Sequence, residues 1–389
     1  MNKNHIKRIF SSPSNESFFI FGPRGTGKST WLKKNFKKAL WIDLIDPENL
    51  RKYSAKPERL KEIYLANKKN KYIVIDEIQK VPELLTVVHQ LIENDKTRHF
   101  ILTGSSSRKL KRSGVDLLAG RALLKQMHPF IACELGSKFD IDQSLKFGLV
   151  PLIFDSEEKM GKLRTYAALY LKEEVQAEGL VRNIGGFSRF LEIISFSHAG
   201  ILNITNIARE CEVERKAVYN YLEILKDLLL SFELPVFTKK AKRVMSVRPK
   251  FYLFDTGIFR SLRPKGPFDQ PNEINGAALE GLIAQHLKAW IEYNNNTDSL
   301  YFWRTRSGSE IDFIIYGENG LFAIEVKNSD KIRNKDLTAL KSVQNDYPGV
   351  KTFLLYRGKE KLLIENTLCL PCTYFLQNLQ PGINLLAIE

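Results

Sequence analysis

The segment FFIFGPRGTGKST, residues 18–30, constrains the fold more than any other part of this chain. An apolar run leads into Gly22–Ser29, which matches the pattern G-x-x-x-x-G-K-[ST], and the residues that follow have helical character. Between a strand and a helix, such glycines let backbone N–H groups surround a phosphate, and the helix N-terminus adds the positive end of its dipole. The segment therefore predicts a nucleotide-binding P-loop on a parallel α/β sheet.

The residue types of the loop assign individual roles. We expect Lys28 to contact the β- and γ-phosphates of ATP and Ser29 to hold Mg²⁺. The residues expected to contact the cofactor are Gly22, Pro23, Arg24, Gly25, Thr26, Gly27, Lys28, Ser29 and Thr30.

A second apolar run, KYIVIDEIQKVP, ends in Asp76 and Glu77. Buried parallel strands are continuous apolar runs, and ligands bind at their carboxyl ends. We expect Asp76 to join the Mg²⁺ site and to contact the cofactor. Glu77 is the candidate base that polarises the attacking water.

A third run, HFILTGSSS, places Thr103 and Ser105 where they could contact the cofactor and sense its hydrolysis, although a turn explains each serine equally well. Arg121, in LLAGRALLK, is a candidate catalytic arginine acting on the nucleotide of a neighbouring subunit. A surface side chain is the equal alternative.

Charge and cysteine content narrow the classes of partner. The 389 residues contain 59 Lys and Arg against 44 Asp and Glu, a net charge of +15, which favours a polyanionic partner such as DNA. Four cysteines form no disulfide framework, and the lone CLPC is a weak metal signal. No stretch has the length of a membrane span, and we expect a cytoplasmic protein with no membrane partner.

The combination of these motifs with later ones resembles a large family of bacterial and archaeal AAA+ ATPases that carry a C-terminal domain of unknown function. The likeness includes IVIDEIQ, LTGSS, LAGR, YLKEEVQAEGLVRN, KFYLFDTGIFRSL and EIDFII…IEVK, so it spans nearly the whole chain. The resemblance implies binding and hydrolysis of ATP on a five-stranded parallel sheet with helices on both faces. It leaves open whether the chain forms a homo-oligomer, a ring hexamer or smaller, and whether it has a protein partner.

The middle segment, residues 146–262, is predicted to be mainly helical and to contain a winged helix. Residues 203–235 resemble a helix-turn-helix whose second helix exposes Arg215, Lys216 and Tyr219, and the strands FELPVF and KFYLFD would form the wing. Between those strands lie Lys239, Lys240, Lys242, Arg243, Arg248 and Lys250, with no acid among them. This basic segment favours contact with DNA, and docking of a protein is the alternative.

The last segment, residues 271–389, follows a linker predicted for residues 263–273 and has the element order αβββαβ. That order resembles the PD-(D/E)XK, or restriction-endonuclease-like, fold. The resemblance implies an Mg²⁺ site formed by Glu280, Asp312 and Glu325, with Asp312 and Glu325 catalytic and Lys327 orienting a hydroxide. The alternative for AIEVK is an exposed Glu–Lys pair on an edge strand without a catalytic role.

Three segments are thus predicted: an ATPase domain over residues 1–145, a helical connector with a winged helix over 146–262, and a nuclease-like domain over 271–389. The favoured function is an AAA+ ATPase that acts on DNA, with Mg²⁺-dependent cleavage by the last segment left undecided. One alternative is a regulatory ATPase switch that docks a protein and has an inert C-terminal segment. A second is a DNA-binding regulator that uses ATP only for assembly.

Overall fold

The computed structural model describes residues 6–105, 118, 120–170, 175, 184–238, 248–294, 297–306 and 308–388. The chain divides into two compact units. The N-terminal unit comprises Phe10–Pro129 together with Ile224–Leu230, and the C-terminal unit comprises Met1–Ile9, Phe130–Glu223 and Ser231–Glu389. Apart from Ile224–Leu230, the helical segment and the last segment of the sequence therefore belong to one compact unit.

The described part of the N-terminal unit contains a parallel sheet with the order β2-β3-β4-β1-β5. Its strands are β1 (Ser17–Phe21), β2 (Leu40–Asp43), β3 (Tyr72–Asp76), β4 (His99–Gly104) and β5 (Ala122–Gln126). Its helices are α1 (Lys28–Asn35), α2 (Pro47–Ala55), α3 (Arg59–Ala66) and α4 (Leu84–Asn94). The predicted five-stranded parallel sheet is confirmed.

The sequence explains why β1 and β4 lie at the centre of this sheet. Every residue of both strands is buried, as expected for parallel strands covered on both faces. The core joins Phe19, Ile75 and Leu102 from the sheet to apolar side chains of α4 such as Val88. Because β4 lies between β1 and β3, the P-loop strand and the strand that ends in Asp76 are not neighbours.

The first half of the C-terminal unit is mainly helical in its described residues. The helices are α5 (Ala132–Leu135), α6 (Ile141–Phe147), α7 (Pro151–Phe154), α8 (Lys159–Thr165), α9 (Ile184–Ser195), α10 (Ile204–Cys211), α11 (Arg215–Asp227) and α12 (Thr256–Leu262). An antiparallel sheet of order β6-β8-β7 accompanies them, formed by β6 (Gly200–Ile201), β7 (Ser231–Leu234) and β8 (Lys250–Leu253).

A long helix, α13 (Pro271–Asn294), follows and is largely buried along its second half. The predicted linker is shorter than expected, because Pro271 is the first residue of this helix rather than part of the linker. Proline is favoured at that position, since its missing N–H has no intrahelical acceptor there and its φ already suits the helix.

The described part of the last segment forms a mixed sheet with the order β13-β14-β12-β11-β10-β9. The strands are β9 (Ser299–Arg304), β10 (Glu310–Gly317), β11 (Gly320–Lys327), β12 (Lys351–Tyr356), β13 (Leu362–Ile364) and β14 (Thr367–Pro371), and the helices are α14 (Thr338–Asp346) and α15 (Cys372–Asn378). β9, β10 and β11 are antiparallel neighbours, whereas β11 and β12 are parallel.

The segment after β7 contributes to the core of this sheet. Phe237 is buried against Trp303, Ile314 and Tyr347. Its backbone N–H donates to the Phe302 carbonyl at 2.7 Å. No helix among the residues described is both long and apolar enough to cross a membrane.

Candidate functional sites

The P-loop has the backbone geometry that its glycines predict. Gly25 and Gly27 have φ of 84° and 93°, in the left-handed region that glycine adopts without strain. A β-carbon on Gly22 would lie 2.4 Å from the Met127 carbonyl oxygen, so the close approach of loop and β5 requires glycine there as well. Thr26 fastens the loop by donating from Oγ1 to the Pro23 carbonyl at 2.8 Å.

Lys28 begins α1, and its side chain is buried against the loop. Its ammonium donates to the carbonyl oxygens of Gly22 and Pro23 at 2.7 and 3.2 Å. Ser29 is half-buried in the same first turn, whereas Arg24 and Thr30 are exposed. The ammonium is therefore held against the backbone of the loop, and its contact with phosphate stays a prediction.

The carboxyl ends of β3 and β4 bring Asp76 and Thr103 together, although the two residues are 27 positions apart in sequence. The buried Thr103 hydroxyl donates to the Asp76 carboxylate and accepts from the Glu77 backbone N–H at 3.1 Å. One hydroxyl therefore connects both acidic residues, and the two predicted sites on neighbouring strands form one cluster.

Glu77 has φ of 60°, which is unusual for a residue with a side chain. Such a conformation costs on the order of 1–3 kcal/mol and persists only where the surroundings impose it. The Gln79 amide donates to the Glu77 carboxylate and lies 3.2 Å from the Ser105 hydroxyl. Gln79 therefore positions the candidate base.

Sequence reasoning missed Gln79. The only signal was a polar residue two positions after Glu77, followed directly by Lys80, which does not distinguish a site residue from a surface residue. In the structure Gln79 is buried, and a β-carbon on Gly104 would lie 2.6 Å from its amide oxygen.

Arg121 immediately precedes β5 and forms an ion pair with Glu93 of α4. Both side chains are more than a third exposed, so this pair adds little stability. A catalytic role for Arg121 on a neighbouring subunit stays a prediction.

In the C-terminal unit, three of the predicted acids converge from different elements. Asp312 lies on β10, Glu325 on the adjacent β11 and Glu280 on α13. Asp312 accepts from the Val326 N–H at 2.9 Å, and the Lys327 ammonium donates to Glu325. All three carboxylate side chains are at most 16% exposed, so they form a buried site rather than the exposed edge pair that was the alternative for AIEVK.

Lys250 is the principal correction to the sequence interpretation. It was assigned to the exposed basic segment of the wing, but it lies in β8 with only 2% of its side chain exposed. Its ammonium lies 2.6 Å from Glu310, 2.9 Å from Glu280 and 3.2 Å from Asp312. A buried carboxylate cluster needs a counter-charge, and Lys250 supplies it from more than 60 residues upstream of Asp312.

The electrostatics of this site follow from burial and crowding of like charges. Burial, with the Asp312 charge adding to it, raises the pKa of Glu280 to about 7 and that of Glu325 to about 8. Burial alone would lower the pKa of Lys250, but the neighbouring carboxylates outweigh it and hold that pKa well above its ordinary value. The Tyr252 hydroxyl also donates to Glu280, at 2.6 Å.

Glu325 has one oxygen, Oε2, that is buried without a hydrogen-bond partner among the described residues. Carboxylate oxygens are the donors that Mg²⁺ prefers, so the donor set fits a hard cation. However, within the ranges described, no three His, Cys, Asp or Glu side chains are arranged to hold a metal ion. The metal roles of Glu280, Asp312 and Glu325 stay predictions, as do those of Ser29 and Asp76.

The predicted DNA-contacting face of α11 is exposed. Arg215, Lys216 and Tyr219 point away from the core, while Val218 is fully buried, as an amphipathic helix requires. The other predicted contacts, Lys239, Lys240, Lys242 and Arg243, lie outside the described residues.

The parallel sheet, the P-loop and the acidic strand end together define a P-loop ATPase domain of the AAA type. Residues 14–136 match the family model described as an AAA domain. Residues 138–269 and 275–375 match two models, each described as a domain of unknown function.

Two relatives cover most of the chain. An uncharacterized protein of Mycobacterium tuberculosis is 25% identical over 90% of this chain and 78% of its own length. Another, of Methanocaldococcus jannaschii, is 27% identical over 77% of this chain and 72% of its own length.

Solved structures of the replication initiator DnaA also match. One, bound to AMPPCP and single-stranded DNA, is 15% identical over 55% of this chain and 82% of that chain, with a TM-score of 0.28. Domain III of DnaA from Thermotoga maritima is 16% identical over 43% of this chain and 80% of that chain, with a TM-score of 0.25.

Proposed function

We propose that this protein hydrolyses ATP at the P-loop and acts on nucleic acid through its C-terminal unit. The observation that supports ATP hydrolysis is the pair of hydrogen bonds made by the Thr103 hydroxyl. It donates to the Asp76 carboxylate and accepts from the Glu77 N–H, at the end of strands in the sheet that bears the P-loop. In this proposal Ser29 and Asp76 hold Mg²⁺, which would neutralise phosphate charge when bound. Lys28 binds the phosphates.

Glu77 is the group that orients and polarises the attacking water. Its strained backbone and its bond to Gln79 hold the carboxylate in one place, which suits a base whose effect depends on position. Thr103 is then suited to report the state of the site, since its hydroxyl contacts the Asp76 carboxylate and the backbone N–H of Glu77 at once.

The proposed action on nucleic acid is based on α11 and the elements around it. The order α9-β6-α10-α11-β7-β8, with an antiparallel sheet of order β6-β8-β7, is consistent with a winged helix in which α11 is the recognition helix. Two exposed cations and an exposed tyrosine on α11 suit phosphates and bases, and the net charge of +15 favours such a partner.

The last segment is consistent with a PD-(D/E)XK-like fold, because α13, the strands β9 to β11, α14 and β12 follow the order αβββαβ. Asp312, Glu325 and Lys327 lie on adjacent strands, as that chemistry requires. Cleavage would need Lys250 to leave, because its ammonium is within hydrogen-bond reach of two of the predicted metal ligands.

That position of Lys250 favours a second candidate function, a regulatory ATPase whose C-terminal segment is inert and whose partner is a protein. An acid cluster neutralised by a buried lysine needs no metal to be stable. In this alternative the exposed face of α11 docks a protein instead of DNA.

One experiment separates the candidates. Phosphate release from ATP is measured for the full chain with Mg²⁺, without and with duplex or single-stranded DNA, and DNA integrity is followed in the same samples. Turnover that DNA stimulates supports the main proposal, whereas turnover that ignores every DNA supports the regulatory alternative. Lys28→Ala should abolish turnover, and Lys34→Ala, an exposed lysine of the same helix, is the matched control. Equal turnover in both variants and the native chain would refute hydrolysis at the P-loop.

A further inference from the structure

A cavity of about 540 Å³ lies within the C-terminal unit, apart from the P-loop. Asn328 and Ser329, which follow β11, and Arg357, which follows β12, form one side of it, and Arg260 of α12 lies on another. The cavity thus opens at the carboxyl ends of two parallel strands, the usual place for a ligand in such sheets, and its volume suits a small molecule.

Cations predominate in the lining of this cavity. Lys146, Arg260, Lys265 and Arg357 contribute four positive charges against the two carboxylates of Asp142 and Asp330. Asp142 is 76% exposed and accepts from Arg357 at 2.6 Å, so it offsets that arginine and not the others. An excess of positive charge in a concave site attracts anions.

Arg260 is the lining residue whose environment most favours binding of an anion. It is half-buried, and its Nη2 donates to the amide oxygen of Asn275. Its Nε is buried without a hydrogen-bond partner among the described residues, and burial lowers the pKa of its guanidinium. Among the described residues its hydrogen-bond partner is a neutral amide, so partial desolvation of this guanidinium is costly, and a phosphate would offset that cost with charge-assisted hydrogen bonds.

The rest of the lining suits the organic part of a phosphate ester. Leu145, Met160 and Leu163 provide an apolar wall. Asn275 directs its amide oxygen at Arg260, which leaves its Nδ2 group to donate elsewhere. An apolar wall beside convergent donors and cations is the arrangement expected for an amphipathic ligand.

We propose that this cavity binds the terminal phosphate of a nucleotide, either a free mononucleotide or the phosphorylated end of a nucleic-acid strand. Arg260 and Lys265 contact the phosphate, and the sugar or base packs on the apolar wall. The site starts one residue after Lys327. A strand end held there would therefore lie beside the buried acids of β10 and β11. The inference goes beyond ATP hydrolysis and does not depend on it.

The test uses the full chain carrying Lys28→Ala, so that the P-loop contributes less to nucleotide binding. Calorimetric titration measures the Kd of inorganic phosphate, of AMP, and of a short single strand with hydroxyl, 5′-phosphate or 3′-phosphate ends. Arg260→Gln and Lys265→Gln are added singly, and Arg164→Gln, an exposed arginine of α8 outside the cavity, is the matched control. Circular dichroism spectra verify that each variant is folded.

We expect Arg260→Gln to weaken binding at least ~10-fold, as loss of a charge-assisted hydrogen bond predicts, and the control to leave it unchanged. Lys265 is exposed and is not part of the core, so Lys265→Gln tests the site even if Arg260→Gln fails to fold. Weakened binding of AMP identifies a free nucleotide as the ligand. Weakening confined to phosphate-ended strands identifies a strand end. Binding that is absent for every probe, or equal in all variants, overturns the proposal whether or not the protein hydrolyses ATP.

Discussion

The Lys250 ammonium and the Asp312 carboxylate lie 3.2 Å apart, and this contact joins the small sheet of the helical region to the sheet of the last segment within one compact unit. Lys250 also contacts Glu280 and Glu310, so it is the main counter-charge of the buried acids. Its removal should have two measurable effects.

Lys250→Met should lower the free energy of unfolding by about 3–5 kcal/mol, because it leaves buried carboxylates without their counter-ion. It should also create affinity for Mn²⁺, since the cation can take over that role. Thermal unfolding with and without Mn²⁺ measures both. Lys351→Met, at the exposed start of β12, is the control and should show neither effect. A variant as stable as the native chain, with a melting temperature indifferent to Mn²⁺, would show that Lys250 is not the counter-charge.

Removal of the P-loop ammonium should weaken ATP binding at least ~10-fold in Lys28→Ala, because a charged hydrogen bond to phosphate is lost. Glu77→Gln should instead retain binding and stall hydrolysis, since the amide cannot act as a base. Binding by titration and turnover by phosphate release separate the two effects. The assignment of Glu77 fails if Glu77→Gln turns over ATP at the native rate.

Gln79→Ala should reduce kcat while leaving the ATP dissociation constant near its native value, because Gln79 contacts Glu77 and not the P-loop in the described structure. A decrease of about 10-fold is expected for a positioning residue. Steady-state kinetics give the split between kcat and KM. A rise in KM alone, with kcat preserved, would mean that Gln79 supports the nucleotide pocket rather than the base.

The double reversal Arg215→Glu with Lys216→Glu should weaken DNA binding and reduce the slope of log affinity against log salt by about 2. Fluorescence anisotropy of a labelled duplex at several salt concentrations measures both. Lys68→Glu with Lys69→Glu, an exposed pair in the N-terminal unit, has the same charge change and should leave the slope unaltered. If both double variants change the salt slope equally, the effect arises from net charge and α11 does not contact the DNA.

His286 should contribute a loss of stability as the pH decreases below about 6.5. Burial lowers the pKa of this ring to about 4. In the folded protein the neutral ring donates from Nδ1 to the Leu282 carbonyl and accepts at Nε2 from the Ala132 N–H. The unfolded ring titrates near 6.5, so between pH 6.5 and 4 the unfolded state binds the extra proton and is favoured. The loss reaches roughly 3 kcal/mol at the acid end of that range.

Denaturant titrations at several pH values measure this slope, and His286→Gln serves as the comparison. Its amide oxygen can accept from Ala132, but it does not titrate, so the dependence of stability on pH should flatten. His198, whose pKa burial lowers to about 3, contributes a residual slope of the same sign in both chains. An identical pH dependence in the two chains would contradict a role for His286.

Local signals in the sequence were sufficient for features built from contiguous residues. The P-loop glycines, the apolar run before Asp76 and the strand KTFLLY lie where their patterns predicted. Contacts over long sequence distances were not accessible in this way. Lys250 in a basic run has the pattern of a solvated residue, and only packing of β8 against the last segment buries it. The same holds for Gln79, whose role depends on β4.

The positions of Phe237 and Lys250 determine how this chain can be divided. A fragment that begins at residue 271 would lack both the aromatic ring that packs on Trp303 and the ammonium that forms ion pairs with Glu280, Glu310 and Asp312. The last segment is therefore not expected to fold on its own, even though the match to a family model begins at residue 275. Fragments intended for biochemistry should retain β7 and β8. Loss of activity in a shorter fragment would be a consequence of misfolding and would not show that the site is inactive.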